Sequence, residues 1–156
     1  MTSVYGATKV VAPLFNKYTS SVDRAFGFGF ISTMKKSICI VEDQEEIRFL
    51  LSRVLTKEGF TVEAYPDGYA LFDREGEAPD LFILDIELPG VNGLEICRWI
   101  KSNDTKPVLL ISGSPELEVL ASNSTADAYM AKPLKTETLL ETIHVLLAMD
   151  LSVTDR

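Results

Sequence analysis

The 156-residue sequence has few cysteines, no long apolar run and fewer basic than acidic side chains. Its two cysteines, Cys39 and Cys97, lie far apart and outside any Cys/His cluster, so we predict buried, reduced thiols and neither a zinc site nor a disulfide framework. No run approaches the roughly 18 apolar residues that a membrane-spanning helix needs. A formal charge of −8 disfavours direct nucleic-acid binding, because an acidic surface repels phosphates. We therefore expect a soluble, cytoplasmic protein.

The composition changes near Met34. Residues 1–33 hold three basic side chains and one acidic one, a net charge of +2, and six of the 14 aromatic residues of the chain. They show neither helical nor strand periodicity, so we interpret them as an irregular N-terminal extension of a single domain, residues 34–156. Three explanations stay open: Met34 is the natural start, the extension is a functional arm, or it is a transit peptide.

Beyond residue 36, short apolar runs alternate with amphipathic helical patterns. Five runs are rich in Val, Ile, Leu and aromatic residues and predict strands at 37–41, 61–65, 81–84, 108–111 and 128–131. Helical patterns lie around 47–55, 68–75, 93–102, 115–122 and 139–147. The spacing allows a right-handed helical crossover between successive strands. We predict an α/β fold of five βα units, a doubly wound five-stranded parallel sheet in the flavodoxin-like order 2-1-3-4-5.

Acidic and polar residues follow the predicted strands. Glu42 and Asp43 follow the first, Asp85 the third, Ser112 the fourth and Lys132 the fifth. In this sheet order the first and third strands are neighbours at the ligand-binding edge, so the three carboxylates should converge. They would repel one another unless a cation lay among them, and an all-oxygen cluster suits Mg²⁺. Lys132 would add a fixed positive charge.

Structural explanations exist for some of these residues. Asp43 and Glu46 have the spacing of a helix capping box, Ser112 alone is uninformative, and Lys132 could be an ordinary loop lysine. Asp85 follows four apolar residues, where an unpaired carboxylate has no structural purpose. Among these residues, Asp85 is therefore the one whose position most strongly indicates a functional role.

Five short motifs together resemble the receiver domains of two-component response regulators, in particular stand-alone receivers of the chemotaxis-regulator kind. The resemblance covers residues 36–148, and its motifs are Ile40-Val41-Glu42-Asp43, Pro79 to Asp85, Leu88 to Gly93, Leu110 to Gly113 and Tyr129 to Pro133. Each motif is short, but their order and spacing are specific. Residues 1–33 lie outside the match.

The resemblance implies a role for each site residue. It implies that Asp85 is the phosphoacceptor and that Mg²⁺ is bound by Glu42, Asp43, Asp85 and the backbone carbonyl of Glu87. Ser112 and Lys132 would contact the phosphoryl oxygens. Tyr129 would be the switching aromatic, and the Lys132-Pro133 bond would be cis. Such a protein is no enzyme in the ordinary sense, although it catalyses its own Mg²⁺-dependent phosphorylation and dephosphorylation.

We therefore expect a single-domain response regulator, since no output module is recognisable after the last helix. Its phosphodonor would be a histidine kinase or a histidine phosphotransfer protein, and it would signal through an unknown protein target, through onward transfer, or as a homodimer formed on phosphorylation. One alternative is an aspartate-nucleophile phosphatase using Asp85-Ile86-Glu87, although such enzymes carry this motif on their first strand. A flavin or nucleotide carrier is disfavoured because Glu42 and Asp43 would repel phosphate.

Overall fold

The computed structural model describes residues 8–10 and 35–151. Strands and helices alternate along the second of these ranges. The strands are β1 (Thr8–Val10), β2 (Ser37–Val41), β3 (Thr61–Tyr65), β4 (Leu81–Asp85), β5 (Val108–Ser112) and β6 (Ala128–Ala131). The helices are α1 (Glu45–Lys57), α2 (Gly68–Phe72), α3 (Gly93–Asn103), α4 (Leu117–Ser122) and α5 (Thr136–Leu151).

The strands form one sheet in the order β1-β6-β5-β4-β2-β3. Strands β2 to β6 run parallel, and counted alone they have the order 2-1-3-4-5, which confirms the predicted doubly wound fold. Each of the parallel strands β2 to β6 lies within one residue of its predicted bounds. Helix α2 ends at Phe72 and is therefore three residues shorter than the predicted pattern over 68–75.

Helices cover both faces of the parallel strands. Alternate residues of β2 point to opposite faces: Ile38 and Ile40 join a core with α1 and α5, whereas Cys39 and Val41 join one with α2, α3 and α4. Every residue of β4 and β5 is buried. Burial on both faces explains why these strands are continuous apolar runs without polar alternation.

The strand β1 differs from the prediction for the N-terminal segment. Thr8–Val10 pair antiparallel with β6, in a register that places Thr8 opposite Met130 and Val10 opposite Ala128. The sequence indicated a largely irregular segment, and these three residues are too few to show a strand period. The rest of that segment, like Met34, lies outside the described residues, so the boundary at Met34 stays a prediction.

Both cysteines are free and buried, as predicted. Burial of the Cys39 thiol, with a smaller contribution from nearby Glu63, raises its pKa to about 12. Among the described helices, none is long and apolar enough to cross a membrane.

Candidate functional site

Three carboxylates meet at the carboxyl end of the sheet. Strands β2 and β4 pair with Val41 opposite Leu84, so the next residues, Glu42 and Asp85, lie side by side. One oxygen from each of Glu42, Asp43 and Asp85 lies within 4.8 Å of the others. Glu42 and Asp85 are 0% and 1% exposed, whereas Asp43 is exposed. The cluster is therefore anchored in the core and open to solvent at Asp43.

The Asp43 side chain does not have the structural use that its spacing to Glu46 suggested. The N-cap of α1 is Gln44, and it makes no side-chain capping bond. The capping-box explanation is wrong, and the position of Asp43 beside two buried carboxylates is consistent with a role in the site.

Lys132 supplies positive charge to the two buried carboxylates. Its Nζ lies 2.9 Å from Asp85 Oδ2 and 2.8 Å from Glu42 Oε2. Burial lowers the pKa of Lys132, but hydrogen bonds and ion pairing with Glu42 and Asp85 outweigh burial and raise the pKa above its ordinary value. The residue is thus no ordinary loop lysine: it is a charged group directed into the site.

The backbone holds Lys132 in place. Its N–H donates to the Ser112 carbonyl at 2.8 Å, joining the ends of β5 and β6. The Lys132-Pro133 peptide bond is cis, as the resemblance implies.

Ser112 ends β5 and is fully buried. Its Oγ donates to Oε1 of Glu87 and accepts from the Ser114 N–H at 2.9 Å. The Glu87 N–H in turn donates to Asp85 Oδ1 at 3.0 Å. Ser112 is therefore connected to Asp85 through the side chain and backbone of a single residue.

Tyr129 lies on β6 and is 7% exposed. It is paired with Leu110 of β5, and it packs in the same core cluster as Leu117 and Ala121 of α4. Side chains two residues apart on a strand share a face, so Ser112 and Tyr129 lie on the same side of the sheet. Tyr129 is therefore buried on the Ser112 side of the sheet, and its role as a switching aromatic stays a prediction.

Two residues near the site were not identified from the sequence. Arg48 donates through Nη1 to the backbone carbonyls of Glu42 at 2.8 Å and Asp43 at 3.1 Å, so it fixes the acidic loop. Gly93 begins α3 where a Cβ would lie 2.1 Å from the Asp85 carbonyl oxygen. The only available signals were an arginine in the first turns of the helix after the acidic pair, and the glycine of the Leu88 to Gly93 motif.

The cluster has the chemistry of a divalent cation site. Three carboxylates and one ammonium leave an excess of two negative charges, and every acidic ligand atom is oxygen. Mg²⁺ prefers oxygen ligands and retains several waters, which the exposed side of the cluster would allow. Glu42, Asp43 and Asp85 therefore fit a Mg²⁺ ion.

The fold and site together are those of a phosphoacceptor signalling domain. The family model of the response regulator receiver domain matches residues 38–144, and the chain belongs to this family. The family binds Mg²⁺ in an acidic pocket and takes phosphoryl groups from histidine kinases.

Similar proteins include curated response regulators. The chain is 40% identical over 114 residues to the response regulator ArlR of Staphylococcus epidermidis, covering 71% of this chain and 52% of that protein. It is 32% identical over 117 residues to the DNA-binding response regulator MtrA of Mycobacterium tuberculosis, covering 73% and 51%. The chain thus spans about half the length of these relatives.

Solved receiver domains have the same fold. A CheY-like receiver domain from Methanospirillum hungatei is 32% identical with a TM-score of 0.69, covering 76% of this chain and 98% of that one. The BeF₃-activated DrrB receiver domain is 28% identical with a TM-score of 0.67, covering 74% and 99%.

Proposed function

We propose that the protein acts as a single-domain response regulator that accepts one phosphoryl group on Asp85. The observation that carries this proposal is the Asp85 carboxylate itself, which is buried beside two further carboxylates and paired with Lys132 at 2.9 Å. The donor is a histidine kinase or a histidine phosphotransfer protein, in keeping with the family.

The transfer is an in-line displacement. A carboxylate oxygen of Asp85 attacks the phosphorus of the phosphohistidine, a P–O bond forms and the P–N bond breaks. The phosphohistidine ring is protonated on its other nitrogen, so the leaving group is neutral imidazole. Phosphoryl transfer depends mainly on positioning and on neutralising oxygen charge. Lys132 provides part of the positive charge that neutralises the phosphoryl oxygens. A Mg²⁺ ion bound by Glu42, Asp43, Asp85 and the Glu87 carbonyl would provide the rest.

The conformational output involves Ser112 and Tyr129. A phosphoryl group on Asp85 gives the Ser112 hydroxyl a charged acceptor, and movement of Ser112 toward it leaves space beside Tyr129. Because Tyr129 is already buried, we expect phosphorylation to shift its position within the core and not to bury it. The surface around α4, β6 and α5 then binds a different partner, either another protein or a second copy of this chain.

We also propose that the downstream target is a protein and not DNA, although one of the relatives is a DNA-binding regulator. The formal charge of −8 supports signalling through protein contacts and disfavours direct nucleic-acid binding by this domain. The two buried free thiols support a reducing, cytoplasmic location. The mass of the native protein in its own cells tests the single-domain organisation.

The alternative phosphatase function has no observation in its favour. Asp85 ends β4, which is the third of the parallel strands in chain order. Aspartate-nucleophile phosphatases carry the corresponding motif on their first strand. Turnover of a generic phosphate ester distinguishes the two functions, since a phosphatase hydrolyses such esters, whereas the phosphoacceptor takes its phosphoryl group from phosphohistidine or from a donor such as acetyl phosphate.

The test is labelling with acetyl phosphate or phosphoramidate in the presence of Mg²⁺. Intact-mass analysis should show one added phosphoryl group in the wild-type protein and in a control, Asp73→Asn, which removes an exposed carboxylate. Asp85→Asn should abolish the addition, and Asp43→Ala or EDTA should suppress it. An unmodified wild-type protein under these conditions would contradict the assignment. Kinetic preference within a panel of purified histidine kinases would then identify the donor.

A further inference from the structure

The Ser112 hydroxyl already has an acceptor in this structure. Ser112 is fully buried, and its proton is directed at the carboxylate of Glu87, an exposed residue at the rim of the site. The Ser114 N–H donates to the same hydroxyl oxygen at 2.9 Å. Both hydrogen-bonding functions of the Ser112 hydroxyl are therefore occupied within the chain.

A serine hydroxyl has a single proton to donate. The proposed function requires that proton for a phosphoryl oxygen on Asp85. The Glu87 carboxylate and the phosphoryl group are both charged acceptors, which form stronger hydrogen bonds than neutral ones. They therefore compete for one donor, and each can satisfy Ser112 only at the expense of the other.

We propose that the side chain of Glu87 is a positioning residue that holds Ser112 in its unphosphorylated arrangement and so opposes activation. This inference rests on the proposed function of Asp85, and it assigns a regulatory role to the side chain of a residue whose backbone carbonyl was the expected Mg²⁺ ligand. The Glu87 N–H to Asp85 Oδ1 bond places this side chain beside the phosphoacceptor, so the competition is local.

The proposal makes Glu87 a determinant of the balance between the two states. Removing its carboxylate leaves Ser112 without a competing charged acceptor, so a phosphoryl mimic on Asp85 should bind more tightly. One hydrogen bond at an exposed acceptor corresponds to about a fivefold change in affinity. Glu87→Met keeps the length of the side chain and the backbone carbonyl while removing the acceptor.

Charge repulsion between Glu87 and the phosphoryl group would also weaken binding, and it would do so without Ser112. A double-mutant cycle separates the two effects. Repulsion predicts the same gain from Glu87→Met whether or not Ser112 is present. Competition for the hydroxyl predicts a gain that disappears in the Ser112→Ala background.

The experiment measures beryllofluoride affinity by calorimetry with saturating Mg²⁺ in the wild-type protein, Glu87→Met, Ser112→Ala and the double variant. We expect Glu87→Met to tighten binding about fivefold in the wild-type background and less than about twofold in the Ser112→Ala background. Glu116→Gln, which removes an exposed carboxylate just after Ser114, should leave affinity unchanged. An equal gain in both backgrounds, or no gain in either, overturns the proposal.

A second measurement on the unliganded protein keeps this inference separate from the phosphoacceptor assignment. Without Glu87 the Ser112 hydroxyl reorients, so the Ser114 amide, which donates to it, should exchange its hydrogen faster in Glu87→Met than in the wild type. Failure of the wild-type protein to bind beryllofluoride would contradict the proposed function. Unchanged exchange at Ser114 would contradict the Glu87 contact itself.

Discussion

Replacing Lys132 by methionine should destabilise the protein most strongly when no divalent cation is present. The Lys132 ammonium is the positive charge that contacts Asp85 and Glu42, at 2.9 Å and 2.8 Å. Both carboxylates are almost fully buried, and Asp43 lies beside them. The Lys132→Met variant retains the length and packing of the side chain and removes only its charge.

The size of the effect follows from the burial of the two carboxylates. Removing one partner of a buried ion pair typically costs 3–5 kcal/mol, because the remaining charge is left uncompensated. The Lys132 side chain is 15% exposed, so we expect the lower end, about 3 kcal/mol. For a domain of this size that corresponds to a decrease of about 10 °C in Tm.

Mg²⁺ should reduce this difference between the variant and the wild type. An ion present at 100 times its Kd adds about 2.7 kcal/mol to the free energy of unfolding. The Lys132 ammonium repels a cation in the same cluster, so the variant should bind Mg²⁺ more tightly. A tenfold lower Kd would narrow the difference by about 1.4 kcal/mol.

Urea unfolding of both proteins, in EDTA and in Mg²⁺ at pH 7.5, measures these differences. Lys135→Met, an exposed lysine of the same loop, is the control and should behave as the wild type under both conditions. The reasoning is refuted if Lys132→Met is as stable as the wild type in EDTA, or if its deficit is the same with and without Mg²⁺.

Three further predictions concern packing, thiol reactivity and pH. Gly93→Ala should destabilise the protein by about 3 kcal/mol in urea unfolding, because its Cβ would lie 2.1 Å from the Asp85 carbonyl oxygen. The Cys39 thiol, with a pKa of about 12, should resist iodoacetamide at pH 8 in native protein and react after unfolding. Burial raises the pKa of Asp80, but bonds from Ser37 and the charge of a nearby lysine lower it overall. The charged Asp80 should therefore stabilise the fold at neutral pH, and this contribution should be lost as the pH falls below 3.8. The difference in free energy of unfolding between the wild type and Asp80→Asn should shrink there.

The sequence predicted the parallel sheet well, because its signals were local and repeated. Strands β4 and β5 are apolar up to their last residue, which in each is a polar residue of the site. Once the strand order was inferred, the meeting of Glu42 with Asp85 followed from the direction of the strands alone. The structure adds the register that makes them neighbours.

Side-chain contacts within the site could not be predicted in the same way. Glu87 and Ser112 are 25 residues apart, and the bond between them depends on the loop after β4 turning toward the end of β5. The contact of Arg48 with two backbone carbonyls likewise leaves no periodic pattern. Such contacts depend on loop conformation, whereas hydrophobic periodicity reports only which face of an element is buried.

Deletion of residues 1–33 tests the role of the strand that the sequence did not reveal. All the site residues lie between Glu42 and Lys132, so Asp85 labelling with acetyl phosphate and Mg²⁺ should be unchanged in the truncated protein. The truncation removes β1, however, and so exposes the edge of β6, the strand that carries Tyr129.

An exposed strand edge loses its hydrogen-bond partners, so those backbone amides of Ala128, Tyr129 and Met130 that face β1 should exchange their hydrogens faster after the truncation. The bare edge should also increase self-association in sedimentation experiments, because an unpaired strand is a template for pairing with a second chain. Loss of Asp85 labelling would show that the N-terminal segment supports the site directly. Unchanged exchange along β6 would show that Thr8–Val10 do not protect this edge in solution.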